Sequence, residues 1–150
     1  QRLHANPIQE DFTAMLDRLS RNEQRALLEL LVHLAKSDGT IAEVEREVLG
    51  MYADLVDVAP EEIEGDYTLE DLVPQFVSPA SRVIAIQELF RLSHLDGWFG
   101  ESEQSEILEV GAMMGVPMEL LQKIELWVLD GLNWVQRGED LLDEAEEVVA

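Results

Sequence analysis

Two short stretches of the sequence repeat the same oxygen donors at the same spacing: Asp38-Gly39 with Glu45, and Asp96-Gly97 with Glu103. In both, an apolar residue, Ile41 or Phe99, stands four positions before the glutamate. Carboxylates are hard ligands suited to divalent cations such as calcium or magnesium, which gather six or more oxygens. The two Asp–Glu pairs together barely suffice for one such ion. The same residues also have a purely structural use. A glutamate at the third helical position caps the first backbone amides, and an aspartate beside glycine bonds turn amides. On residue types alone, both readings stay open.

The spacing between the stretches is itself informative. Shifted by 58 positions, Leu31 falls on Leu89, Leu34 on Leu92, Asp38 on Asp96, Gly39 on Gly97, Glu45 on Glu103 and Val58 on Val116. Such a repeat describes two helix–turn–helix units, about 25–58 and 83–116, that bury their apolar stripes against each other. An EF-hand loop would put these aspartates at its fifth position and the glutamates at its twelfth. The first and third positions would then be Leu34 and Lys36, or Leu92 and His94, which lack the required oxygens. These are not EF-hands. Glu45 lies between Ile41 and Leu49 on one helical line, and Glu103 between Phe99 and Ile107, so both lean toward the apolar side. A buried carboxylate needs compensation, from a cap or from a cation.

The elements that position these turns read as helices throughout, because helix signals recur and hairpin signals do not. Asn6-Pro7 marks a first start, ahead of Phe12, Met15, Leu16 and Leu19. Ser20 and Glu23 form a capping box for a second helix, which Asp38-Gly39 ends. A third runs from about Glu43 to Val56. Short helices are expected at Pro60 and at Thr68 within the irregular stretch 57–78, and Ser78-Pro79 opens the next long one. Helices from Glu101 to Met114 and from Pro117 to about Trp134 follow, with Gly115 and Gly138 at their ends. Residues 139–150 read as a short helix or an acidic tail. The expectation is an all-α, compact array of about seven or eight helices in one domain over 1–150.

Charge narrows the function. The net charge is −22, and residues 1–36 are balanced, so the excess lies beyond them. Six acids fall between Glu61 and Asp71 and six between Glu139 and Glu147. Such a surface repels phosphate backbones and anionic lipids, so no nucleic-acid partner is expected, beyond mimicry of one. No apolar run reaches the roughly 20 residues of a membrane helix, so no direct membrane insertion is expected either. There is no cysteine, hence no disulfide and no thiolate site. His4, His33 and His94 form no zinc or di-iron pattern, and no phosphate loop or nucleophile elbow is present, so no enzyme is expected. Trp127 and Trp134 read as core or core edge, Met113, Met114 and Met118 as core filler, and Trp98 at the second turn as an anchor for a partner.

Leu34-Ala35-Lys36-Ser37-Asp38-Gly39-Thr40-Ile41-Ala42-Glu43-Val44-Glu45 and Leu92-Ser93-His94-Leu95-Asp96-Gly97-Trp98-Phe99-Gly100-Glu101-Ser102-Glu103 carry a family likeness. The arrangement resembles the tellurite-resistance TerB-like family, which takes in the N-terminal domain of a DnaJ-like co-chaperone group. With the flanking helices it covers about residues 25–133. Ala42 and Gly100 depart from the family's Ser or Thr before the helix. The resemblance implies an all-α fold, a cytoplasmic location, a link to metal-ion or chemical stress, and metal binding by the acidic motif residues. It also implies protein partners, membrane-associated or signalling. The resulting expectation is a non-enzymatic stress-associated adaptor that binds a protein and a divalent cation at Asp38, Glu45, Asp96 and Glu103. The alternative is a regulatory or co-chaperone domain of a larger protein, with no metal role.

Overall fold

The computed structural model describes residues 15–37, 39, 41–95 and 100–149. Six α-helices and two 3-10 turns lie wholly among them. Residues 15–17 are the helical end of the first expected helix, whose Asn6-Pro7 start lies outside the described residues. No described residue is in a strand: the expected all-α array. The helices are α1 (Arg21–Ala35), α2 (Glu43–Leu55), the single turn α3 (Leu69–Leu72), α4 (Pro79–Ser93), α5 (Glu101–Met113) and α6 (Met118–Val148). Each start has a local cause. Ser20 and Glu23 cap α1 reciprocally at 3.1 and 2.8 Å. Thr68 and Asp71 do so for α3 at 3.2 Å. Ser78 caps α4 through Ser81, with Pro79 at the first helical position.

α1 and α4 are the two central helices and pack on each other. Their sequences explain this: Leu27, Leu28, Leu30, Leu31, Leu34 and Ala35 are all buried, as are Ile84, Ala85, Ile86, Leu89 and Leu92. A helix apolar on several faces must be enclosed. α2 packs on α1, α5 on both α4 and α1, α3 on α1, and α6 on α4 and α5. The 58-residue repeat is therefore structural. Leu31 and Leu89, Leu49 and Ile107, Tyr52 and Val110, and Val56 and Met114 occupy equivalent buried places.

The two units also stop in the same way. Val58 N–H donates to Ala53 O at 2.9 Å, and Val116 N–H to Gly111 O at 2.9 Å. Asp57 at φ 56° and Gly115 at φ 75° hold the left-handed residue that this helix stop requires. At the first acidic turn, Gly39 at φ 100° takes the conformation expected of it.

Three expectations are corrected. The last long helix does not end near Trp134 or Gly138 but continues to Val148, absorbing most of the segment read as a short helix or an acidic tail. One helical glycine costs only about 1 kcal/mol, less than the strong helix formers around it, such as Arg137, Leu141, Glu144 and Ala145, can offset. Trp134, read as core or core edge, is 58% exposed, because it lies in the stretch of α6 from residue 133 onward in which every described residue is exposed. Trp127, 43% exposed, sits at the core edge with the Arg91 guanidinium of α4 over its ring at 5.5 Å. Of the methionines, Met114 is buried while Met113 and Met118 are exposed.

Candidate functional site

Of the acidic-turn residues, Glu45 and Glu103 are described, whereas Asp38, Asp96 and Trp98 lie outside the described residues. Both glutamates are buried, at 8% and 9% exposure, on the inward side of their helices. Each reaches back over its own helix start. Ala42 N–H donates to Glu45 Oε1 at 3.0 Å and Gly100 N–H to Glu103 Oε1 at 3.4 Å. The capping use is thus present in both units, although neither Ala42 nor Gly100 has a side chain to return the bond. A carboxylate at a helix N-terminus is further favoured by the helix dipole.

The fold brings the two units together at this end. His33 Nδ1 lies 2.9 Å from Glu106 Oε1, and one helical turn on, Ser37 Oγ lies 3.4 Å from Ser102 Oγ. Residue numbers rise along α1 as they fall along α5, so the helices run antiparallel here. The end of α1 that leads into the first turn thereby abuts the start of α5 that leaves the second. An open groove of about 540 Å³ adjoins the same end, lined among others by His33, Lys36, Ser37, Asp66, Tyr67 and Glu70. Its far wall is fixed by α1 itself. Glu64 and Gly65 N–H both donate to Glu29 at 2.8 Å, and Lys36 Nζ donates to Gly65 O at 3.0 Å.

Buried acids outside the turns form a further set, of which sequence reasoning had named only Glu23, as a cap of α1. Glu88 accepts from the Tyr52 hydroxyl and from Arg91 Nε, the latter at 3.0 Å. Burial pushes the Glu88 carboxyl up, against the opposing pull of Arg91 and Tyr52. Burial also pushes Glu106 up, and His33 only partly offsets it. Glu106 Oε2 is buried without a hydrogen-bond partner. Glu23 goes the other way: burial raises it, but hydrogen bonds from Ser20, Ser81 and Val77 outweigh that and hold it low. A signal for Glu88 was available, since it falls on the helical line between Ile84 and Leu92. Among the described residues, no three histidines or acids converge as a metal-ligand group.

Residues 5–65 match the family described as Tellurite resistance protein TerB. Over that span the chain is TerB-like. The TerB-like span includes α1, the first acidic turn and α2, and it ends at Gly65, the residue that Glu29 and Lys36 hold. The second unit lies beyond it, and its likeness to the first rests on the internal repeat. No curated protein and no solved structure matches the chain. No described helix is long and apolar enough to cross a membrane.

Proposed function

We propose that this chain is a non-enzymatic, stress-associated TerB-like binding module of the cytoplasm, which takes a protein partner and holds a divalent cation at its duplicated acidic turns. The observation that carries the reading is the meeting of the two units at their acidic ends. Ser37, adjacent in sequence to Asp38, lies 3.4 Å from Ser102, adjacent in sequence to Glu103. The donors fit a hard cation, because all four are carboxylates and the chain has no cysteine. Glu45 and Glu103 suit the task in a further respect. One oxygen of each is fixed by a backbone N–H, and ligands oriented by such outer bonds bind more tightly. Asp38 and Asp96 would complete the set. The ion would neutralise repulsion among these acids and tie the two turns to one another, presenting one ordered surface to a partner.

Calorimetry with calcium, magnesium, manganese and zinc, on the wild type and on the Asp38→Ala/Asp96→Ala double variant, tests the metal. Binding of one of these ions, lost in the double variant, is expected. Absence of binding at millimolar metal overturns it. The second reading, an interaction domain of a larger protein with no metal role, is favoured by the caps themselves, which already give both glutamates a use. It requires partner binding indifferent to chelation.

A further inference from the structure

The fold leaves one large apolar surface without a partner among the described residues. α6 is 31 residues long, and its first part buries Leu121, Ile124 and Val128 against α4 and α5. From residue 133 onward every described residue of the helix is exposed. Yet the apolar pattern does not stop where the contacts do. Val128, Val135, Leu142 and Val149 recur every seven residues, and so do Trp127, Trp134, Leu141 and Val148 beside them. Exposure along these lines is 58% at Trp134, 64% at Leu141, 69% at Leu142 and 76% at Val148. Seven-residue recurrence of apolar residues in a straight helix is the pattern of a helix that packs along another helix. Between the lines stand Gly131, Gly138 and Ala145. A Cβ added at either glycine would meet nothing, so the fold itself gives no packing reason for glycine there.

Charge says what the other helix must be. Residues 130–149 hold seven acids against the single Arg137. Glu139 and Glu146 border the apolar face on one side, Asp130 and Glu144 on the other. Two copies of this chain laid side by side would align like charges along the whole seam, and an anionic membrane would repel it. We propose that the projecting half of α6 docks a basic amphipathic helix, which covers the Trp134–Leu142 face and places Lys or Arg against the bordering acids. This rests on the binding-module reading above and supplies the chemistry of its partner, without involving the acidic turns.

The test uses the full chain and a synthetic 20-residue helical peptide with leucine along one face and lysine elsewhere, followed by tryptophan fluorescence and calorimetry. Micromolar binding is expected, weakened at least tenfold by scrambling the peptide sequence and several-fold by 0.5 M salt. The Trp134→Ser/Leu142→Ser variant, altered only where side chains are exposed, should also lose at least tenfold with unchanged circular dichroism. Equal binding of the scrambled peptide, or undiminished binding by the variant, overturns the proposal. So does a dimer of the free chain that the same variant dissolves, or binding to neutral phosphatidylcholine vesicles in place of the peptide. Metal titration of the same samples is independent: loss of peptide binding with metal binding intact sinks only this inference, and the converse sinks only the metal site.

Discussion

Tyr52, near the end of α2, donates its phenolic O–H to the carboxylate of Glu88 on α4, so a buried polar bond joins an outer helix of the first unit to the central helix of the second. Both residues are 1% exposed, and Arg91 supplies Glu88 with a second donor. Burial and the adjoining carboxylate push the Tyr52 phenol well above its usual range. Loss of the hydroxyl in Tyr52→Phe should cost about 1.5–3 kcal/mol, the range for a hydrogen bond to a charged group. Urea denaturation of the two proteins measures it.

Glu88 has the opposite consequence. Burial raises its folded pKa above the unfolded value, so its contribution is fully present below the ordinary glutamate pKa and is lost as pH rises through the raised one. In Glu88→Gln an oxygen still accepts from Tyr52 and Arg91, and the ionisation disappears. Stability at pH 7 should hold or rise, and its decline as pH rises above the ordinary glutamate range should flatten. A variant less stable by more than about 1 kcal/mol at pH 7 would show that the Arg91 charge outweighs burial.

Glu23 works in reverse, since its folded pKa lies below the ordinary one. Its contribution exists above that value and disappears as pH falls through the lowered one. It holds the start of α1 through Ser20 N–H and the segment before α4 through Val77 N–H. Glu23→Ala should cost about 2 kcal/mol at pH 7, from a lost cap and an unsatisfied amide. The deficit should shrink as pH falls through the carboxylate range, which denaturation at stepped pH will show.

Glu29 pins the loop that walls the groove by accepting from two successive amides, Glu64 and Gly65. Glu29→Ala should leave helix content intact while amide exchange at these two positions speeds by at least tenfold. Unchanged exchange would mean that Lys36 on the Gly65 carbonyl is enough by itself.

Asp57 occupies the left-handed place that Gly115 fills in the other unit. Asp57→Gly should stabilise by up to about 1 kcal/mol, because only glycine enters that region without steric cost. Gly115→Ala should destabilise by about the same amount, through backbone strain alone, since nothing crowds an added Cβ there. Thermal melts of the pair test both signs.

For the acidic turns, glutamine separates the two uses of glutamate. Glu45→Gln and Glu103→Gln keep an oxygen for the Ala42 and Gly100 amides, so stability should change by less than about 1 kcal/mol. Cation affinity should fall at least tenfold in each. Equal affinity in both variants would leave the glutamates as caps only.

The sequence by itself determined the helices and their order, because capping pairs such as Ser20–Glu23 and Thr68–Asp71 and stripes such as Leu27–Leu31–Leu34 are local. It also determined the duplication and the inward lean of Glu45 and Glu103, since a 58-residue shift and a four-residue period are properties of order alone. Their capping bonds to the Ala42 and Gly100 amides came from the structure. It misjudged Gly138, where summed helix propensity over neighbours outweighs one unfavourable residue. Only the tertiary structure decided which residues meet. The pairing of His33 with Glu106 and of Ser37 with Ser102 depends on α1 and α5 packing antiparallel, which no local pattern encodes. The grip of Glu29 on the 64–65 amides is equally long-range. The exposure of Trp134 likewise depends on how far along α6 the packing of the other helices reaches, which the apolar stripe itself does not record.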